Sequence, residues 1–211
     1  MIDLLKAVLA GIAVSVGGAI WLSLVGSSPV AGALLFSVGL LSICVLGFDL
    51  FTDRAGLLAD PPGGSARDYA LSLVRVYAGN LIGAIWAGTG ILATRLGPSL
   101  SEAAVDLTIV KLTDGYMSQF LLAVFCGMLT FIAAECYRRG KDPLSKVVPV
   151  TLCAAGFLLA GFEHTVVNAF IYTLSGGLFT PQGRMSLLFT TVGNVIGALV
   201  VSLPLFKLLD E

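Results

Sequence analysis

What constrains this chain most is where its charges are missing. No Asp, Glu, Lys or Arg occurs in 7–48, 76–94, 115–134, 147–162, 164–183 or 185–206. A helix rises about 1.5 Å per residue, so roughly 20 apolar residues cross the ~30 Å hydrocarbon layer of a bilayer. Only 12% of the 211 residues are charged and 57% are hydrophobic, about half the charge of a soluble domain. The pattern predicts an all-α integral membrane protein with the lipid bilayer as its first partner. It excludes a soluble enzyme and a disordered chain. A net charge of −1 also excludes a basic face for nucleic acid.

Six crossings account for the runs. Spans are expected at about 5–25, 30–49, 69–94, 115–137 and 185–208, with a polar outer connection over 95–114. The first run is too long for a cleavable leader and passes directly into a second span. The sixth crossing, 147–179, is interrupted by Gly161-Phe162-Glu163-His164, which places two ionisable groups at membrane depth. Such residues are costly in lipid and tolerated where unwound backbone faces a protein-lined cavity. A broken helix is expected there. With this topology Lys6, Arg54, Arg67, Arg138, Arg139, Lys141, Lys146 and Lys207 share one side, against Arg95, Lys111 and Arg184 on the other. The positive-inside rule then puts both termini in the cytoplasm of a cell (inner) membrane protein. Cys44, Cys126, Cys136 and Cys153 lie in or at the ends of spans, without metal-like spacing. No metal or cofactor is expected.

The two halves of the chain repeat. Gly47-Phe48-Asp49-Leu50-Phe51-Thr52 resembles Gly161-Phe162-Glu163-His164-Thr165-Val166, and Gly79-Asn80-Leu81-Ile82-Gly83-Ala84 matches Gly193-Asn194-Val195-Ile196-Gly197-Ala198. Both matches have the offset 114. A weaker match, at offset 116, pairs Ala7–Ile12 with Ala123–Met128. Three spans per copy is an odd number, so the second copy enters the membrane upside down. We expect one transmembrane domain over 1–211, with repeat 1 at about 1–94 and repeat 2 at about 115–211. In inverted repeats of this kind the path lies where the broken segments meet, here 47–54 and 161–168.

Candidate path residues follow from that geometry. His164 is the only histidine and its ordinary pKa, about 6.5, lies near working pH. Thr52 either donates to His164 or a passing anion, or caps the half-helix after the first break. Asp49 and Glu163 are expected to anchor unwound backbone N–H groups, and Asn168 lies one turn after His164. Asn80 and Asn194 are expected to bond across helices. Lys111, in the outer connection, is either a cation that gathers anions at a vestibule or a solvated loop residue. No nucleophile–base pair, metal-ligand cluster or phosphate loop points to an enzyme. A channel for a small neutral solute or gas, with His164 only as a hydrogen bonder, is the alternative to an anion pathway.

Gly161-Phe162-Glu163-His164-Thr165-Val166-Val167-Asn168 resembles the Gly-Phe-Glu-His-Ser-x-x-Asn signature of the formate/nitrite transporter family. Leu50-Phe51-Thr52 is similar to its Leu-Phe-Thr loop, and Gly79-Asn80-Leu81-Ile82-Gly83 to its Gly-Asn-Leu-x-Gly helix. The resemblance implies an aquaporin-like fold of six spans in a homopentamer with one pore per protomer. It further implies passage of a small monovalent weak-acid anion, such as formate, nitrite, hydrosulfide or a short carboxylate, with a proton. By the same resemblance His164 is the central histidine and Thr52 its partner. Phe36 and Phe157 form an outer apolar slit, and Leu40 and Leu50 an inner one. Gly127, sixteen residues after Lys111, stands where the family has asparagine, and Asp53-Arg54 replaces Gly-Asn. A pore missing that polar side chain is expected to be wider and to favour a different or larger acid.

Overall fold

The computed structural model describes residues 4–209. Among them every regular element is helical: α1 (Leu4–Leu24), α2 (Pro29–Leu46), α3 (Phe51–Ala55), α4 (Ala66–Leu92), α5 (Gly97–Thr113), α6 (Tyr116–Arg139), α7 (Pro143–Leu159), α8 (Thr165–Ser175) and α9 (Pro181–Leu209). By length and apolarity α1, α2, α4, α6 and α9 are each able to cross a membrane alone. The 17 residues of α7 and the 11 of α8 reach only ~26 and ~17 Å at about 1.5 Å per residue. Together they make the interrupted crossing. Asp142 starts α7: its carboxylate accepts from the Leu144 and Ser145 N–H groups, and Ser145 returns a bond to the Asp142 backbone. The Ser145 bonds hold this exposed carboxyl below its usual range.

Each break is made the same way. Gly47 ends α2 at φ 68° and Gly161 follows α7 at φ 72°, the left-handed region that glycine enters without a Cβ penalty. Extended backbone at Leu50 and His164 then starts α3 and α8. The freed backbone groups are tied by an asparagine. Asn80 Oδ1 accepts from Phe51 N at 2.8 Å, and its Nδ2 donates to Ala7 O at 2.7 Å and Asp49 O at 2.9 Å. Asn194 does the same with Thr165 N at 2.9 Å, Ala123 O at 2.8 Å and Glu163 O at 2.8 Å. One side chain thus joins a break to two long helices. The expectation for Asp49 and Glu163 is corrected: among the described residues their carboxylates accept from no unwound N–H, because each carries a charge that is better matched by a cation, Arg54 and Lys111 respectively.

The two copies also meet. Tyr77 OH lies 2.8 Å from Thr191 Oγ1 and 3.0 Å from Thr165 Oγ1, with Thr165 and Thr191 2.8 Å apart. Tyr77 and Thr191 are equivalent at the offset of 114. Equivalent residues touch only near the axis relating the copies, so this axis passes beside the breaks. Three crossings per copy around such an axis support the inverted arrangement.

Two features differ from the sequence reading. The polar connection over 95–114 has an element of its own, since α5 occupies most of it. It buries Leu100, Ala104 and Thr108, a one-sided stripe at helical spacing. Ser101 Oγ donates to Leu174 O at 3.0 Å and Thr108 Oγ1 to Ser175 Oγ at 2.8 Å, which seats α5 on α8. The second difference is Gly127, which does not leave a gap in a pore wall. A Cβ there would fall inside the Asn194 carbonyl oxygen, as one at Gly11 would meet the Asn80 carbonyl. Both glycines let a helix approach the backbone of the tying asparagine, so this chain has no room for a larger side chain at 127. Gly127→Asn and Gly11→Ala should each cost roughly 1–3 kcal/mol of stability through overpacking. Gly26→Ala, whose Cβ would meet nothing within 4 Å, should be silent in the same thermal-unfolding assay in detergent.

Candidate functional site: two cavities separated by a histidine

The breaks bring Thr52 and His164 together at the centre of the bundle. His164 is 1% exposed and Thr52 fully buried. His164 Nδ1 accepts from the Val167 N–H at 3.3 Å, capping the first turn of α8. An accepting imidazole nitrogen carries no proton, so the neutral ring is protonated on Nε2 and donates to Thr52 Oγ1 at 3.0 Å. The Thr52 hydroxyl proton then has no protein acceptor among the described residues. It is free to face a solute.

Apolar side chains close the space around this pair. Phe157 stacks on His164 with ring centroids 5.5 Å apart, and Phe36 meets Phe157 edge-on, also at 5.5 Å. Phe36, Phe157 and Leu50 are fully buried, Leu40 is 2% exposed, and all four share one core cluster. Leu50 is the repeat equivalent of His164, so the polar centre has an apolar counterpart.

A cavity of about 140 Å³ lies on one side of this wall, lined by Trp21, Lys111, Phe157, Glu163, His164 and Asn168 among others. On the other side lies a cavity of about 300 Å³, whose lining includes Cys44, Leu50, Asp53, Arg54, Tyr137 and Arg138. The two share no lining residue, yet eight lining positions correspond at the offset of 114, among them Gly47 with Gly161, Leu50 with His164, Asp53 with Val167 and Arg54 with Asn168. They are equivalent chambers facing one central barrier. A larger surface depression between α1 and α5 does not reach His164 and is unconnected with this chemistry.

Each chamber has a carboxylate–cation pair at its break. Glu163 Oε2 accepts from Lys111 Nζ at 2.7 Å and from Asn168 Nδ2 at 2.6 Å, with the Lys111 and Glu163 side chains 12% and 5% exposed. Lys111 is therefore neither a solvated loop residue nor an uncompensated cation. Asn168 Oδ1 is buried without a partner among the described residues, on a residue that lines the smaller cavity. In the other chamber Asp49 pairs with Arg54. Arg54 occupies the position equivalent to Asn168, so one guanidinium does there what Lys111 and Asn168 do together. Pattern reading passes over Trp21, an ordinary aromatic in an apolar span, and Arg138, which counts in sequence only as a loop charge. Removing the Lys111 charge strands Glu163 in a dry site. Lys111→Ala should therefore cost about 3–5 kcal/mol, and adding Glu163→Gln should recover part of that loss in thermal unfolding.

Comparison with known proteins places this geometry. The formate/nitrite transporter family model matches residues 3–207. The chain is 30% identical over 240 residues to a formate-nitrite transporter of Plasmodium malariae, covering 98% of this chain and 76% of that protein. It is 28% identical over 221 residues to a formate-nitrite transporter of Entamoeba histolytica, covering 94% of this chain but only 62% of that longer protein. A solved pentameric formate channel with formate bound superposes with a TM-score of 0.85 over 98% of this chain and 96% of its own, at 24% identity, and so shares the fold. Signature, tied breaks and paired chambers agree with the match along nearly the whole sequence: the chain belongs to the formate/nitrite transporter family.

Proposed function

We propose that this chain is a membrane pore for a small monovalent weak-acid anion, such as formate, nitrite, hydrosulfide or a short carboxylate, which crosses as the neutral acid together with its proton. The observation that carries this reading is the buried Thr52–His164 contact, with a chamber of equivalent lining in each repeat. An ion stripped of water at a wall of Phe36, Leu40, Leu50 and Phe157 finds no compensating charge there, and the penalty is many kcal/mol. A neutral acid needs only hydrogen bonds. Asn168 Oδ1 offers an acceptor in the outer chamber, and the Thr52 hydroxyl offers a donor at the centre.

Protonation of the acid is driven by its surroundings. As water is lost, the charged form loses more solvation than the neutral form, so the acid takes up a proton before the barrier. His164 serves as a fixed neutral donor. A proton added at Nδ1 would displace the Val167 N–H it caps and would place a charge in a fully buried site. The Lys111–Glu163–Asn168 group sets the polarity of the outer mouth.

The pore works as a single transmembrane domain with inverted repeats at about 1–94 and 115–211. It assembles as a homopentamer with a pore in every protomer, in a cell (inner) membrane with both termini cytoplasmic. The family membership supports the assembly, and the excess of Lys and Arg at the end that carries Arg54 and Arg138 supports the orientation. A neutral-solute channel would need no proton and no buried ion pair at each mouth.

Proteoliposome uptake over a panel of small weak acids, with and without an imposed pH gradient, tests the reading. Wild type should accumulate at least one of them when the trans side is alkaline. His164→Ala removes the central donor, a contact worth roughly 1–3 kcal/mol, so flux should fall ~10- to 100-fold. His164→Phe should close the pore by bulk. Flux that is independent of pH in wild type, or unchanged in His164→Ala, would contradict the proposal.

A further inference from the structure

Asp53 is an ionisable residue on the wall of the larger chamber. Its side chain lines the 300 Å³ chamber while the residue is only 8% exposed. It forms no hydrogen bond or ion pair with any described residue. The charges of Arg138 and Arg54 act on it from nearby, but each is committed elsewhere, Arg54 to Asp49 and Arg138 to Glu135. Of the other elements around it, α2 presents Cys44 and α6 presents Tyr137 to the same chamber. From α4, Tyr69 sends its hydroxyl to the Arg54 carbonyl, and α9 carries no charge between Met185 and Phe206.

The position is also asymmetric. Asp53 immediately follows Thr52, the partner of His164, and its equivalent in the other chamber is Val167 at the offset of 114. An unpartnered carboxylate therefore stands one residue from the pore centre at one end only. Consider an acid that has passed the barrier and ionises in this chamber. Its anion and an ionised Asp53 would be like charges in a confined, poorly solvated space, and two such groups share one proton between them.

We infer that Asp53 is the proton acceptor for the permeating acid at the Arg54–Arg138 end of the pore. The O–H bond of the neutral acid (S–H in hydrogen sulfide) breaks, its proton passes to the Asp53 carboxylate, and the anion keeps the electron pair. The anion leaves past the two arginines beside a now neutral Asp53, which then returns the proton to water at the mouth. For flow in the opposite direction, protonated Asp53 gives its proton to an entering anion. This inference rests on passage of the acid in neutral form.

Right-side-out and inside-out membrane vesicles from cells expressing the full chain allow the pH at each end to be set separately. Labelled formate, nitrite, hydrosulfide, acetate and lactate are the probes. Wild-type flux should respond to pH at both ends. Asp53→Asn should lose the response at the Asp53 end and keep it at the Lys111 end, and Asp53→Glu should restore it. Asp53→Val, which copies Val167, should show the same one-sided loss. If wild type carries none of these probes, the weak-acid reading falls and takes this inference with it. If wild type carries one and Asp53→Asn or Asp53→Val keeps the full response at both ends, the inference alone is wrong.

Discussion

Unwound backbone in the middle of a bilayer needs hydrogen-bond partners, and in this fold an asparagine supplies them at each break. Without Asn80 and Asn194, the N–H groups of Phe51 and Thr165 and the carbonyls of Asp49 and Glu163 would lack the bonds that hold them. Each such buried group left unpaired costs roughly 1–3 kcal/mol, and more where lipid excludes water. The same asparagines reach the carbonyls of Ala7 and Ala123 on α1 and α6. The close approach needed for that reach is given by Gly11 and Gly127. Break, helix spacing and glycine placement are consequences of one tie, used twice.

Because the ties are equivalent, the two chambers start from the same plan, and their differences carry the chemistry. Where one copy has Leu50 the other has His164, so a single imidazole stands at the centre, beside Thr52. Where one has Asn168 with Lys111 beside it, the other has Arg54. Where one has Val167, the other has Asp53. The first substitution puts the one histidine at the central barrier, where the proposed pore needs a hydrogen-bond donor. The other two give the ends different electrostatics, Lys111 balanced by Glu163 on one side and a cluster of carboxylates and arginines on the other.

The crossings, the broken helix at 161–168 and the offset of 114 are legible in sequence because they are written in charge-free length and in short identical motifs. The meeting of Thr52 with His164 also follows from the repeat. Other features have no local signature. The α5 helix buries Gly97, Leu100, Ala104 and Thr108, too narrow a stripe to stand out among Glu102, Asp106 and Lys111. The pairing of Lys111 with Glu163 joins residues 52 apart in sequence, and nothing short-range announces it. Asp49 and Glu163 look like anchors of the breaks, yet their partners are cations, and the anchoring belongs to the neutral amides. Gly127 looks like a lost side chain until its neighbour, the Asn194 carbonyl, is known.

In the proposed pore an anion does not cross the barrier at Thr52 and His164 without a proton. A direct measurement is acid flux in proteoliposomes clamped at several membrane potentials, with proton movement recorded at the same time. Electroneutral passage requires one proton per acid molecule and a rate that does not change with voltage. A sustained current carried by the anion, growing with voltage and unaccompanied by proton movement, would contradict the account.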